Sequence, residues 1–264
     1  MERTPADPRS GLLRAMAVLS LIAERSPTRL GVSTIARDLD LPKAVAHRIL
    51  KEFTAADYLV FDDRTKRYRL GPSSLTLGLA ALRDLDVPKI ARPHLDRLVA
   101  ATGETATLSV RNGSARVYVD QVLSSHEIRM SISLGTSHPL HAGSSSKAIL
   151  AHLGEAELDA YLATAALERV TAQTITDPVA LRADLERVRE LGYAVSAGER
   201  QSGAGSVAAP LYRASGEAFG SISLCGPRDR FTPEAYEEYA RLVLKTAAEI
   251  SAELGYKPSR EDPS

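Results

Sequence analysis

Lys43, Ala44, His47, Arg48 and Lys51 recur at spacings that place them together on one side of a helix. They lie off the apolar stripe formed by Val45, Ile49, Leu50 and Phe53. Cationic and imidazole side chains around a small residue suit contact with a DNA major groove. The small residue lets the backbone approach, and the longer side chains reach base edges and phosphates. A basic helix face taken alone is more often a solvated face, and Arg48 could equally pair with Glu52 one turn away. The flanking sequence changes the balance. A helix and a break precede this face, and a second basic cluster, Arg64, Lys66 and Arg67, follows on a turn between two extended runs. Such a cluster suits the tip of a hairpin lying on the phosphate backbone.

Three helices and a hairpin must position these groups. Leu12, Leu13, Met16, Leu19 and Ile22 predict an amphipathic helix over 11–25, stopped by Pro27. Ser33 is expected to cap a second helix running through Leu39, with Ile35, Ala36 and Leu39 inward, and to touch DNA itself. Leu41-Pro42 breaks the chain. Pro42 suits the first turn of the third helix, where a missing N–H costs nothing. Strands are expected over 58–61 and 66–70. This order predicts a winged helix-turn-helix domain over 11–71.

The rest of the chain reads as a linker and an α+β domain. Leu75, Leu77, Leu79, Leu82 and Leu85 lie in a segment with few charges, so 72–88 is read as a linker helix. Its apolar side implies burial against a second copy of the chain, the alternative being packing on its own domain. Over 89–256 a helix at 89–102 precedes strands at 105–111, 115–122 and 127–134. Helices at 144–153, 155–164 and 178–191 follow, then strands at 193–197, 207–212 and 219–225, and a helix at 233–254. The ends, 1–10 and 257–264, read as disordered tails.

Composition is compatible with this reading and excludes others. Of 264 residues, 44% are hydrophobic and 25% charged, and no apolar run has the length to span a bilayer. The start, MERTPADPRS, lacks the apolar core of a signal peptide, and a single cysteine forbids an internal disulfide. A cytoplasmic protein without membrane partners is expected. Net charge is zero, but 1–70 hold 13 Lys and Arg against 9 Asp and Glu, while the remainder hold 20 against 24. Attraction to phosphate is therefore local to the N-terminal part.

Other motifs could do chemistry and are weaker. Ser144-Ser145-Ser146-Lys147 has the Ser-x-x-Lys spacing of some hydrolases, without the companion elements those enzymes need. His138, His141, Glu199 and Cys225 include metal-ligand types but lack close ligand spacing. The run from Ser202 to Ser206 contains Gly203 and Gly205 but has neither the dinucleotide nor the P-loop spacing. No enzyme, no cofactor and no metal is expected.

The order of elements and a set of local signatures resemble the IclR family of bacterial transcriptional regulators along nearly the whole chain. The signatures are Pro139-Leu140-His141-Ala142 before Lys147-Ala148, then Gly192-Tyr193 before Glu199. Val207-Ala208-Ala209-Pro210, Gly216, Ser221-Ile222-Ser223 and Gly226-Pro227 complete the set. The resemblance implies a GAF-like effector domain, dimers or dimers of dimers, and a palindromic double-stranded operator. It also implies a small carboxylic or aromatic acid as effector. By position it implies a pocket lined by Met130, His138, Ser144, Ser145, Ser196, Ser206, Ser223 and Cys225. A carboxylate would be held by hydroxyls and by the backbone N–H groups of a helix start. Family members often have Ala or Gly where Ser144, Ser145 and Ser146 stand, so this pocket should be smaller or more polar. The expected function is ligand-responsive transcriptional regulation, with repression favoured because a dimer on a promoter blocks polymerase. A DNA-tethered enzyme and an adaptor with a vestigial pocket are the alternatives.

Overall fold

The computed structural model of the chain describes residues 10–83 and 87–257. The residues divide into two compact units, Met1–Leu85 and Asp86–Ser264. Residues 84–86 of the expected linker, and nearly all of the two expected tails, lie outside the described residues.

The first unit contains helices α1 (Gly11–Glu24), α2 (Val32–Asp38), α3 (Lys43–Ala55) and α4 (Pro72–Arg83). Strands β1 (Leu30–Gly31), β2 (Leu59–Asp62) and β3 (Arg67–Leu70) form an antiparallel sheet in the order β1-β3-β2. Its core gathers Val18, Ile22, Ile35, Ile49, Leu50, Leu59 and Tyr68. Val45 and Phe53 pack against this core half-buried, and Ala46 joins Ile49 and Leu50 on the buried side of α3.

Several boundaries differ from expectation. Gly31, not Ser33, occupies the N-cap of α2, and Ser33 lies inside the helix with no capping bond. The two residues of β1 engage Tyr68 and Arg67 of β3, so the chain enters α2 directly from a strand and leaves no loop for Ser33 to cap. Pro42 is the N-cap of α3, its carbonyl accepting from the N–H groups of Val45 and Ala46. Only part of the apolar stripe of α1 is inside: Ile22 is buried, while Leu12, Leu13 and Met16 are exposed. Leu75, Leu77 and Leu79 of α4 are likewise exposed.

The second unit is an α+β domain built on a six-stranded antiparallel sheet in the order β6-β5-β4-β9-β8-β7. The strands are β4 (Thr105–Asn112), β5 (Ala115–Val122), β6 (Ser137–Pro139), β7 (Ala194–Ala197), β8 (Ala204–Tyr212) and β9 (Ala218–Pro227). The helices are α5 (Val87–Thr102), α6 (Ser144–Ala151), α7 (Glu155–Thr164), α8 (Pro178–Leu191) and α9 (Pro233–Glu253). Asp177 caps α8 by accepting from the Ala180 N–H, and Thr232 caps α9 through the Ala235 N–H.

Strand alternation sorts the two faces of this sheet chemically. Ala106, Leu108, Val207, Ala209, Leu211, Ile222 and Leu224 form one core with α5 and α9. The intervening residues Thr105, Thr107, Ser109, Arg116, Ser196, Ser221 and Ser223 are buried and polar. Part of this second face packs on α6 and α8 through Ala194 and Ala208.

The expected strand over 127–134 does not form. The free edge of β5 is taken by β6, with Arg116 opposite His138. The displaced segment is held by side chains instead: Gln121 Nε2 donates to the Ile132 carbonyl at 2.6 Å, its Oε1 accepts from the Ile132 N–H at 3.0 Å, and Thr105 donates to the Met130 carbonyl at 2.8 Å.

Central strands β4 and β9 approach so closely at Gly220 that a Cβ there would lie 2.5 Å from the Ser109 carbonyl oxygen. Both groups are backbone in the middle of a sheet and have little room to yield. Gly220→Ala is expected to destabilise the protein by about 1–3 kcal/mol, read as a lower urea midpoint at an unchanged m-value.

Candidate DNA interface and effector pocket

Lys43, Ala44, His47, Arg48 and Lys51 are all exposed along α3, and Ser33 is exposed on α2. Among the described residues neither Arg48 nor Lys51 makes an ion pair, and Glu52 does not take Arg48. The wing is shaped by Asp62, whose Oδ1 accepts from the N–H groups of Arg64 and Thr65 at 3.0 and 3.2 Å. Those bonds, with the nearby Arg29 charge, hold the Asp62 carboxyl below its ordinary value. Arg64, Lys66 and Arg67 are exposed on this turn. Lys66 lies 3.4 Å from Asp63 and over the Phe61 ring, while Arg67 donates to the Arg29 carbonyl. The arrangement offers one helix face and a basic hairpin tip, the two surfaces a winged helix presents to DNA.

In the second unit the polar face of the sheet meets the start of α6 around a small pocket with a cavity volume of about 30 Å³. Met130, Ser144, Ser145, Ser196, Ser206, Ser223 and Cys225 all line it. His138 does not. Its ring meets Tyr118 edge-on at 5.4 Å and its Nε2 lies 3.2 Å from the Thr136 hydroxyl. Burial, then the charges of Arg116 and Arg200, lower the His138 pKa to about 3, so this imidazole is neutral at physiological pH.

The three serines that depart from the resembled pattern have separate tasks. Ser144 donates to Ser206 Oγ at 2.7 Å, the Ser145 carbonyl accepts from Ser221 at 3.0 Å, and Ser146 Oγ accepts from Arg116 Nε at 2.7 Å. Thr107 and Ser223 hydroxyls meet at 2.7 Å across β4 and β9. Burial pushes the Cys225 thiol up to about 12, so it enters the pocket as a protonated, weakly polar group.

Six further lining residues were not read from the sequence: Arg116, Tyr118, Gly143, Arg200, Gln201 and Ala204. Arg116 is the largest of the fully buried side chains. Nη1 donates to Ser109 Oγ at 3.0 Å and Nη2 to the Tyr118 hydroxyl at 2.9 Å, with the guanidinium carbon 4.2 Å from the Tyr118 ring. No carboxylate pairs with it among the described residues, and burial lowers its pKa. The available signal was its inward register in the alternation of Arg116, Tyr118 and Asp120.

A second buried cation sits beside the pocket. Lys147 Nζ lies 2.8 Å from Asp184 Oδ2 and 2.5 Å from Glu199 Oε1. The other oxygen of Glu199 accepts from the Gly143 N–H at 3.0 Å. Gly143 enters α6 at φ 89°, ψ 155°, a conformation open to glycine alone. Lys147 is therefore committed to an ion-pair node, not to a Ser-Lys nucleophile. His141 donates to the Glu168 carbonyl at 3.0 Å, well occupied elsewhere. Among the described residues no group of three or more His, Cys, Asp or Glu could hold a metal ion.

Burial raises the Asp184 pKa, but Lys147 and Arg187 outweigh it and leave the carboxyl below its ordinary value. A depressed folded value means that its contribution is complete above the ordinary 3.8 and is lost as pH falls through the lower folded one. Removing the cation leaves two carboxylates buried together. Lys147→Met is expected to cost about 3–5 kcal/mol, measured by urea unfolding at pH 7, and to weaken the acid-side loss of stability.

Comparison with known proteins places these two surfaces in a family. The family model for the IclR helix-turn-helix domain matches residues 11–63, and that for the bacterial transcriptional regulator IclR C-terminal domain matches 79–252. The chain is 35% identical over 246 residues to the HTH-type transcriptional repressor AllR of Escherichia coli K12, covering 93% of this chain and 90% of that one. The AllR repressor of Salmonella typhi is 36% identical over 247 residues, covering 94% and 90%. The crystal structure of Thermotoga maritima IclR matches at a TM-score of 0.69 and 32% identity, covering 93% of this chain and 98% of that one. An IclR homologue from Microbacterium hydrocarbonoxydans, complexed with 4-hydroxybenzoate, matches at 0.73 and 26%, covering 93% and 99%. With both family models matched in order over most of its length, this chain belongs to the IclR family of bacterial transcriptional regulators.

Proposed function

We propose that this protein is a repressor that binds a palindromic operator as a dimer or dimer of dimers in the cytoplasm, and that an organic or aromatic acid in the pocket alters that binding. The observation that carries the DNA-binding reading is the outward face of α3, where Lys43, Ala44, His47, Arg48 and Lys51 are all exposed beside a basic wing. Ser33 and the wing residues Arg64, Lys66 and Arg67 complete the proposed contact set. Repression is supported by the AllR relatives, which are named repressors. An acid effector is supported by the 4-hydroxybenzoate bound to the Microbacterium homologue. Self-association is supported by the exposed leucines of α1 and α4, an apolar surface that a second copy would cover.

The proposed mechanism is a population shift. The effector binds one arrangement of the sensor domains better than another, and operator affinity changes by that differential alone. Met130, Ser144, Ser145, Ser196, Ser206, Ser223 and Cys225 are the proposed effector contacts.

Arg48→Ala is expected to weaken operator binding by roughly 1–3 kcal/mol, with an unchanged melting temperature. Fluorescence anisotropy on the upstream intergenic DNA checks this, and unchanged affinity with intact folding would show that α3 does not enter the groove. Ser144→Ala is expected to alter the response of operator binding to ligand more than ligand-free affinity. Equal losses in both measurements would mean general damage to the fold and not a ligand contact.

A further inference from the structure

We infer that the effector of this protein is a short dicarboxylate, with one carboxylate taken by Arg116 and the other by Arg200. The inference rests on the pocket reading above and names the charge of its ligand.

Arg116 is fully buried, and a guanidinium keeps its proton under any physiological condition. Each of its three nitrogens donates to a neutral hydroxyl, from Ser146, Ser109 and Tyr118. These bonds orient the group but leave its charge uncompensated. A buried cation without a counter-charge is a costly arrangement, and it is relieved when an anion enters.

Arg200 lines the same pocket, and its guanidinium carbon lies 5.7 Å from the ring of Tyr118, the ring that Arg116 also contacts. The two cations are near enough that each disfavours the charge of its surroundings: both act against protonation of His138. The nearby acids are committed elsewhere. Glu199 holds Lys147 and the Gly143 N–H, and Glu104 holds Arg230 at 2.5 and 2.8 Å. Cys225 and His138 add no charge at neutral pH. Among the described residues no Asp or Glu lines the pocket. The start of α6, at Ser144 and Ser145, adds backbone N–H groups at the positive end of the helix.

The pocket thus carries two positive charges and no negative one. A monocarboxylate neutralises one of them, whereas a dicarboxylate neutralises both. Arginine matches carboxylate in a planar, two-pronged geometry. The cavity is small, about 30 Å³, which favours a short chain between the two anionic groups.

The test is isothermal titration of the full-length protein with malonate and succinate, each against the monoacid of equal chain length, propionate and butyrate. 4-Hydroxybenzoate and inorganic phosphate complete the panel. One dicarboxylate is expected to bind at least about tenfold tighter than its monoacid partner. Arg200→Gln is expected to bring that ratio to within about twofold, with the circular dichroism spectrum of the native protein. Arg116→Met is expected to abolish dicarboxylate binding, but loss of three buried hydrogen bonds can also unfold it, so the Arg200→Gln ratio decides. Monoacids binding as tightly as dicarboxylates, phosphate or 4-hydroxybenzoate binding in preference to them, a ratio unchanged in Arg200→Gln, or no binding of any dicarboxylate would each overturn the inference. Operator binding by the same preparation is measured separately. A selective operator complex that responds to a monoacid leaves the regulator standing and removes only the dicarboxylate.

Discussion

A guanidinium buried without a carboxylate is the constraint around which the sensor domain is arranged. The alternation of β5 turns Arg116 onto the polar face of the sheet, and nothing in that strand alone can satisfy it. Its donors are met by β4 through Ser109, by α6 through Ser146 and by its own strand through Tyr118. Withdrawing any one acceptor leaves a buried charged donor unsatisfied, and that penalty exceeds the net worth of an ordinary hydrogen bond. The start of α6 is therefore tied to the sheet by more than packing. The same helix is held from its other side by Lys147, whose charge is fully met by Asp184 and Glu199. The two buried cations have opposite solutions. Lys147 is closed by protein carboxylates and so is structural, whereas Arg116 is oriented by hydroxyls and left open electrostatically toward a pocket.

Periodicity made much of this architecture legible. The apolar stripe of α3 and the period-two runs of β4, β5, β8 and β9 each encode an element locally, so the α+β class and most of the order of elements follow from sequence. The failures lie where structure depends on a distant partner. β1 is two residues long, too short to show alternation, and exists because β3 offers it an edge. The run over 127–134 has strand-like composition, but β6 occupies the edge it would need. Ser33 has the side chain of a helix cap, yet the pairing of Gly31 with Arg67 starts the helix two residues too early for it.

The two functional surfaces were legible to different degrees for the same reason. The residues proposed to meet DNA lie mostly on one helix and one turn, so their spacing in sequence is their spacing in space. The pocket draws Ser144 from α6, Ser196 from β7, Ser206 from β8 and Ser223 from β9. No spacing rule connects positions so far apart, and only resemblance to a family pointed to them. The same route could not reveal Arg116 or Arg200, because charged residues in a strand or after a loop ordinarily read as surface.

Neighbouring positions in the loop after β7 bind two different parts of the site. Glu199 is committed to Lys147 and the Gly143 N–H, and its carbonyl accepts from Thr171 and Thr174 at 3.1 and 2.7 Å. Arg200, the next residue, faces the pocket. A ligand changes an equilibrium only by the difference in its affinity for the two states. Contacts to Arg116 alone would contribute little to that difference, because Arg116 is locked by three hydroxyls and presents the same group in any state that keeps the sheet intact. Contacts to Arg200 would contribute more, because its guanidinium stands 5.7 Å from the Tyr118 ring and its position follows the loop. Peptide geometry then links the two residues: a shift of Arg200 is felt at Glu199, and through Glu199 at Gly143 and the start of α6. In the proposed arrangement the hydroxyl-locked arginine would confer affinity, and the loop arginine would make that affinity depend on conformation.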